Sequence, residues 1–228
     1  MAWKTTKGWK ETKQTSIGKN PNIDEIAKRV YDDKEIELYR LDEAINEHPL
    51  SRRPTNIRSK LAYKELLKNV KYYTKYLLPG QFAIFNYLEP KFKEDLEYYD
   101  KTPFVLFLGI TRTEDGNIRE IGLNLHYFPP HTRLMILNKV YEMFKPWWEK
   151  NFNAVEHRPN TVIDYKALKH MLSSNTKLAF GIKMYIPVLR DNTRVIPTRL
   201  LSTAFFTEGN FSQATIQQIF KFWRQFQR

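Results

Sequence analysis

Hydrophobic and polar positions alternate with period two in the middle of the chain and with a period near 3.6 on either side. Three runs rich in aromatic and β-branched residues, Gln81–Leu88, Phe104–Thr111 and Ile118–Phe128, lie between Pro79 and Pro130 and are bounded by Gly, Pro or Asp. Such boundaries start and stop strands. In the first run Phe82 and Ile84 share a face with Asn86, while Ala83, Phe85 and Tyr87 share the other, so both faces are largely covered. Pro103 lacks an N–H and opens the second run, and Glu114-Asp115-Gly116-Asn117 supplies the positive-φ positions of a tight hairpin into the third. There Leu123, Leu125 and Tyr127 alternate with Asn124, His126 and Phe128 until Pro129-Pro130 ends the strand. Leu178–Leu189 reads as a fourth strand, and Asp191-Asn192 as a turn into Val195-Ile196-Pro197. The expectation is an α+β fold: a small SH3-like antiparallel β-barrel decorated by helices.

The flanks read as helical. Asn22 caps a segment with Ile26 and Val30 on one face, and a second pattern, Ile36, Tyr39, Leu41 and Ile45, stops before Pro49. Residues 48–54 read as an extended linker. From Ile57, the apolar positions Leu61, Leu66, Val70, Tyr73 and Leu77 oppose Lys60, Lys64, Lys68, Lys71 and Lys75. Thr132 caps a long amphipathic helix reaching Pro146, with Trp147, Trp148 and Phe152 beyond it as core closure. A short helix covers Asp164–Leu172, and Ser212 caps a last one carrying Ile216, Ile219, Phe220 and Trp223. The chain thus divides into an extended basic arm (1–20), a helical extension (21–78), a β-core with inserted helices (79–211) and a C-terminal amphipathic helix (212–228).

Charge changes this picture more than composition does. A chain of 228 residues with 42% hydrophobic content can bury one good core plus appended arms. No apolar run of transmembrane length and no leader is visible, which predicts a soluble protein made in the cytoplasm. Absence of Cys excludes disulfides, thiolate metal sites and Cys nucleophiles. The net charge is +12, of which residues 1–20 hold +4 and residues 51–76 hold +7, leaving the rest of the chain nearly neutral. A local basic excess marks either a surface for phosphate or an acidic partner, or a solubilising face. The arm carries Trp3 and Trp9, which suit anchors on a partner, protein being preferred to nucleic acid. The lysine face from residue 60 can lie along a phosphate backbone or an acidic protein surface.

Catalytic chemistry is not legible. Gly-rich phosphate loops, HExxH and GxSxG are missing, and the five histidines have no metal-ligand spacing. No cofactor, metal or catalytic residue is nominated. Asp95, Glu97 and Asp100 cluster beside Tyr98 and Tyr99. Either they form a nuclease-like group, or Asp100 caps the Lys101-Thr102-Pro103 turn while the tyrosines seat the loop.

The string from Pro79 to Leu137 resembles virion proteins of T4-like contractile-tailed phages in the DNA end protector family. The matching residues are Pro79, Gly80, Tyr98, Tyr99, Asp100, Pro103, Gly122, Leu123, Asn124, Leu125, His126, Tyr127 and Arg133. The resemblance implies a non-enzymatic virion component, acting in head completion, that binds packaged double-stranded DNA ends and neighbouring head, neck, tail or baseplate proteins, with no membrane partner. In that reading Arg52, Arg53, Arg58, Lys60, Lys64, Lys68 and Lys71 hold phosphates, while Asn124, His126 and Tyr127 face a partner from the barrel surface. Two alternatives stay open: a baseplate or tail-connector subunit with protein partners only, and a small SH3-barrel nuclease using Asp95, Glu97 and Asp100.

Overall fold

The computed structural model describes residues 41–70, 77, 80–88, 98–153, 165–172 and 175–225. Five strands, β1 (Phe82–Tyr87), β2 (Phe104–Arg112), β3 (Ile118–Asn124), β4 (Ile182–Tyr185) and β5 (Arg190–Ile196), form one antiparallel sheet in the order β4-β3-β2-β1-β5. The β2–β3 hairpin closes as its sequence demands. Thr113 N–H donates to the Asn117 carbonyl at 2.9 Å, and Gly116 takes φ +77°.

Both faces of the sheet are dry. Phe82, Ile84, Phe104, Leu106, Leu108, Ile121, Leu123, Ile182 and Ile196 build one core, and Ala83, Phe85, Tyr87, Val105, Phe107, Ile110 and Tyr185 build the other. Ile110 joins the second face because a bulge between Phe107 and Gly109 shifts the register against β3, reversing the side-chain parity. At Gly122 a Cβ would lie 2.2 Å from Val105 Cγ1 and 3.2 Å from the Leu106 carbonyl. Gly122→Ala should therefore overpack the β2–β3 contact and lower stability by about 1–3 kcal/mol in urea unfolding.

The expected SH3-like barrel does not form; the sheet is open, with β4 and β5 at opposite edges. Instead of a β4–β5 ladder, residues 186–189 cross one end of the second face. Ile186 N–H donates to the Tyr87 hydroxyl at 2.9 Å, and Leu88 N–H to the Leu189 carbonyl at 2.7 Å. Arg190, opening β5, reaches Glu120 on β3: one terminal N–H₂ donates to Oε1 at 2.9 Å and Nε stands 2.7 Å from Oε2. Burial pushes the Glu120 carboxyl up, and the adjacent guanidinium opposes it. Side chains thus bridge the gap that a barrel would seal with backbone hydrogen bonds.

Helices cover the first face: α1 (41–47), α2 (Thr55–Asn69), α3 (Pro130–Asn153), α4 (Tyr165–Leu172), α5 (Thr176–Gly181), α6 (Leu201–Ala204) and α7 (Ile216–Gln225). No described helix is long and apolar enough to cross a membrane. Several sequence expectations need correction. The segment read as a strand from Leu178 begins as α5, because the Asn175 side chain accepts from Leu178 N–H at 3.4 Å and caps a helical turn. Asp191-Asn192 is a bulge inside β5, where Asn192 takes φ +51°, and not a turn. The linker at 48–54 contains a 3-10 turn, Pro49–Arg52, started by His48 Nδ1 accepting from Leu50 N–H at 3.1 Å. α3 continues through Pro146, and α2 stops at Asn69 with Val70 already extended. The side chains at 147, 148 and 152 lie outside those described.

α7 is capped by Thr215 rather than Ser212. The Thr215 hydroxyl accepts from Gln218 N–H at 3.3 Å while the Gln218 side chain accepts from Thr215 N–H at 2.7 Å, a reciprocal capping box. Ile219 and Trp223 are buried, so this helix packs on the sheet; Trp223 lies edge-on to Phe128 with centroids 6.2 Å apart.

Candidate nucleic-acid interface

α2 is fixed to the body along one side. Ala62 is buried with Leu50 and Phe206, Leu66 enters the main core, and the Ser59 hydroxyl accepts from Glu208 N–H at 3.0 Å. Tyr63 donates its hydroxyl hydrogen to the Glu208 carbonyl at 3.0 Å. At the far end Arg194 of β5 donates to the Val70 carbonyl and to that of Leu67 at 3.3 Å, placing a cation where the helix dipole is negative.

The opposite side faces solvent. Lys60, Lys64 and Lys68 are exposed there, with Ile57 between Lys64 and Lys68 and with Leu67 and Leu61 at the two margins. At 100° per residue these six positions occupy an arc of about 120°. Glu65 points away from it, toward the Thr203 hydroxyl at 3.5 Å, so the arc holds no carboxylate. Arg52 and Arg53 are exposed where the chain enters the helix. Arg58 is turned aside: half-buried, it stacks 5.2 Å over the Phe206 ring. The sequence thus places five of its seven basic candidates on an accessible surface. Lys71, like Trp3, Trp9, Asp95 and Glu97, lies outside the described residues.

Asn124, His126 and Tyr127 are not on the surface where the sequence reading put them; all three are buried. β3 ends at Asn124 because its side chain accepts from His126 N–H at 3.0 Å, which starts a 3-10 turn, Leu125–Tyr127, and breaks the period-two pattern. The centre of this buried network is Asp100. Oδ1 accepts from Thr102 N–H at 3.1 Å and Asn210 N–H at 3.0 Å, and Oδ2 from Asn124 Nδ2 at 3.0 Å and His126 Nδ1 at 2.9 Å. Four donors occupy the four acceptor positions of a carboxylate. Asp100 therefore caps its turn, as one sequence reading had it, and has no lone pair left for a metal or a substrate proton. Among the described residues no group of His, Asp and Glu could hold a metal ion.

The remaining members complete the knot. His126 Nε2 lies 2.9 Å from the Thr207 hydroxyl, and the Tyr127 hydroxyl donates to the Tyr98 carbonyl. Arg133, fully buried, donates from Nε to the Phe128 carbonyl at 3.0 Å and from one terminal nitrogen to the Phe205 and Thr207 carbonyls, both at 2.6 Å. Burial would raise the Asp100 carboxyl, but the His126 ring and the convergent N–H donors hold it below its usual range. Burial keeps His126 neutral, lowering it below 6.5 against the pull of Asp100.

Both groups have folded-state values below those of the unfolded chain. The stability that these two groups contribute is therefore complete above about pH 6.5 and falls as acid protonates His126 in the unfolded state only, Asp100 adding a second loss below about pH 4, while Glu120 and Glu208, raised by burial, act in the opposite sense. His48, also lowered by burial, acts in the same sense as His126. The urea midpoint is expected to drop between pH 7 and pH 5, and His126→Gln should flatten that drop.

The family model described as phage T4 terminal DNA protecting protein matches residues 27–196. The chain belongs to that family. Searches of curated proteins and of solved structures find no match. For this member of the terminal DNA protecting family, several of the described residues that carried the sequence resemblance are architectural. Asp100, Asn124, His126, Tyr127 and Arg133 bind one another's neighbourhood in the interior, whereas the solvent-facing lysines of α2 lie in the same matched region without belonging to that string. The knot reaches beyond the match, taking Thr207 and Asn210 from the chain that follows β5.

Proposed function

We propose that this chain covers the ends of linear duplex DNA in a phage particle as a non-enzymatic component. The observation that carries this reading is the exposed face of α2, where Lys60, Lys64 and Lys68, approached by Arg52 and Arg53, form a basic surface on a helix braced by Arg194. Among the described residues these cations meet no carboxylate on that face, and they can neutralise phosphates, which supplies most of the affinity for duplex DNA. Family membership supplies the terminal character of the target. The segment with Trp3 and Trp9 is assigned to virion neighbours.

The test is digestion of a blunt-ended linear duplex by an exonuclease with and without the protein, at low and moderate salt. Protection that fades steeply with salt is the expected result. Unimpeded digestion under saturating protein at low salt would defeat the proposal.

A further inference from the structure

The basic face of α2 is not purely basic. Ile57, Leu61 and Leu67 are 47%, 40% and 56% exposed, and they interleave with Lys60, Lys64 and Lys68 on the same arc. Aliphatic side chains on an outward helix face gain nothing from water, and among the described residues no carboxylate on the arc pairs with the neighbouring lysines. The occupant of such a face must be anionic and must also offer an apolar surface. The outside of an uninterrupted duplex offers charged phosphates and, deep in the major groove, only scattered apolar edges such as thymine methyls. A blunt terminus offers both: the flat apolar face of the last base pair, rimmed by the phosphates of two strands.

We infer that this face reads the end itself, with Ile57, Leu61 and Leu67 lying on the terminal base pair while Lys60, Lys64 and Lys68 reach the flanking phosphates. The inference rests on the end-covering function proposed above and adds the means of telling an end from interior duplex. Charge gives affinity for any duplex; the aliphatic residues give preference for a terminus.

The experiment compares binding of the full chain to a blunt-ended linear duplex and to a covalently closed circle of the same length, at one salt concentration. The wild type is set beside Ile57→Ser/Leu61→Ser/Leu67→Ser. These side chains are partly solvated, so the variant keeps the fold, which its thermal melt verifies. Its affinity for the circle should stay within about twofold of wild type, and its preference for the linear form should fall about tenfold. A folded variant that keeps the wild-type preference overturns the inference while leaving the end-covering function standing, and assigns the aliphatic residues to a protein neighbour. A wild type with no preference for ends overturns both.

Discussion

Alanine at Lys60, Lys64 and Lys68 together should lower affinity for linear duplex DNA by about two orders of magnitude at 0.1 M salt and make the salt dependence shallower by about 3 in log–log slope. Each of the three is exposed on one side of a helix whose other side is held by Ala62, Leu66 and the Arg194 clamp, so their removal changes charge and not structure. Fluorescence anisotropy across a salt series measures both quantities on the same samples. Arg58→Ala is the internal contrast. Its guanidinium stacks on Phe206 and is turned from the lysine arc, so it should cost stability through lost packing while leaving the slope little changed. An unchanged slope for the triple variant would move the phosphate contacts elsewhere on the chain.

The second large effect belongs to the interior. Arg133→Met should destabilise the fold by about 3–5 kcal/mol, read as a shift in the urea midpoint at constant m-value. Methionine fills much of the same volume, yet the substitution strands the carbonyls of Phe128, Phe205 and Thr207 without donors. It also removes a buried cation whose field acts on Glu208 first and on Asp100 more weakly. Burial draws the Arg133 guanidinium down to about 10, so it remains charged at neutral pH. Arg133→Lys should recover only part of the loss, because an ammonium cannot span three carbonyls on two chain segments as a planar fork does. A Met variant as stable as wild type would mean that the carbonyls find donors when the knot relaxes.

β1 and β2 were legible in the sequence because their alternation is long, their boundaries are Gly and Pro, and both faces are apolar. The hairpin was legible for its Asp-Gly-Asn chemistry. β5 was not, and the reason is physical: Arg190, Thr193 and Arg194 are polar because they hold Glu120, one another and the α2 terminus, tasks set by residues distant in sequence. Without β5 in view, the remaining strands suggested closure into a barrel. Asn124 and His126 misled in the same way. Polar residues at alternate positions read as a solvent face, and only Asp100, 24 and 26 positions earlier, makes their burial tolerable. The lysine stripe of α2 needed no tertiary partner to be seen, since spacings of four place it by helix geometry alone. The apolar side was harder: the helix buries small residues, Ser59 and Ala62, and leaves Ile57 and Leu61 outside.

The strand order also determines when this chain can fold. β1 is flanked by β2 and by β5, so Phe82 pairs with Ile196 across a stretch of chain that includes every other strand. Asp100 likewise waits for the Asn210 N–H. Until residues near 196 have been synthesised, the β1–β2–β3 meander has an unpaired, apolar edge, and a long loop must close before that edge is covered. Folding of the sheet is thereby deferred until β5 has been synthesised, and a chain truncated before β5 is left as a sticky intermediate rather than a smaller working domain.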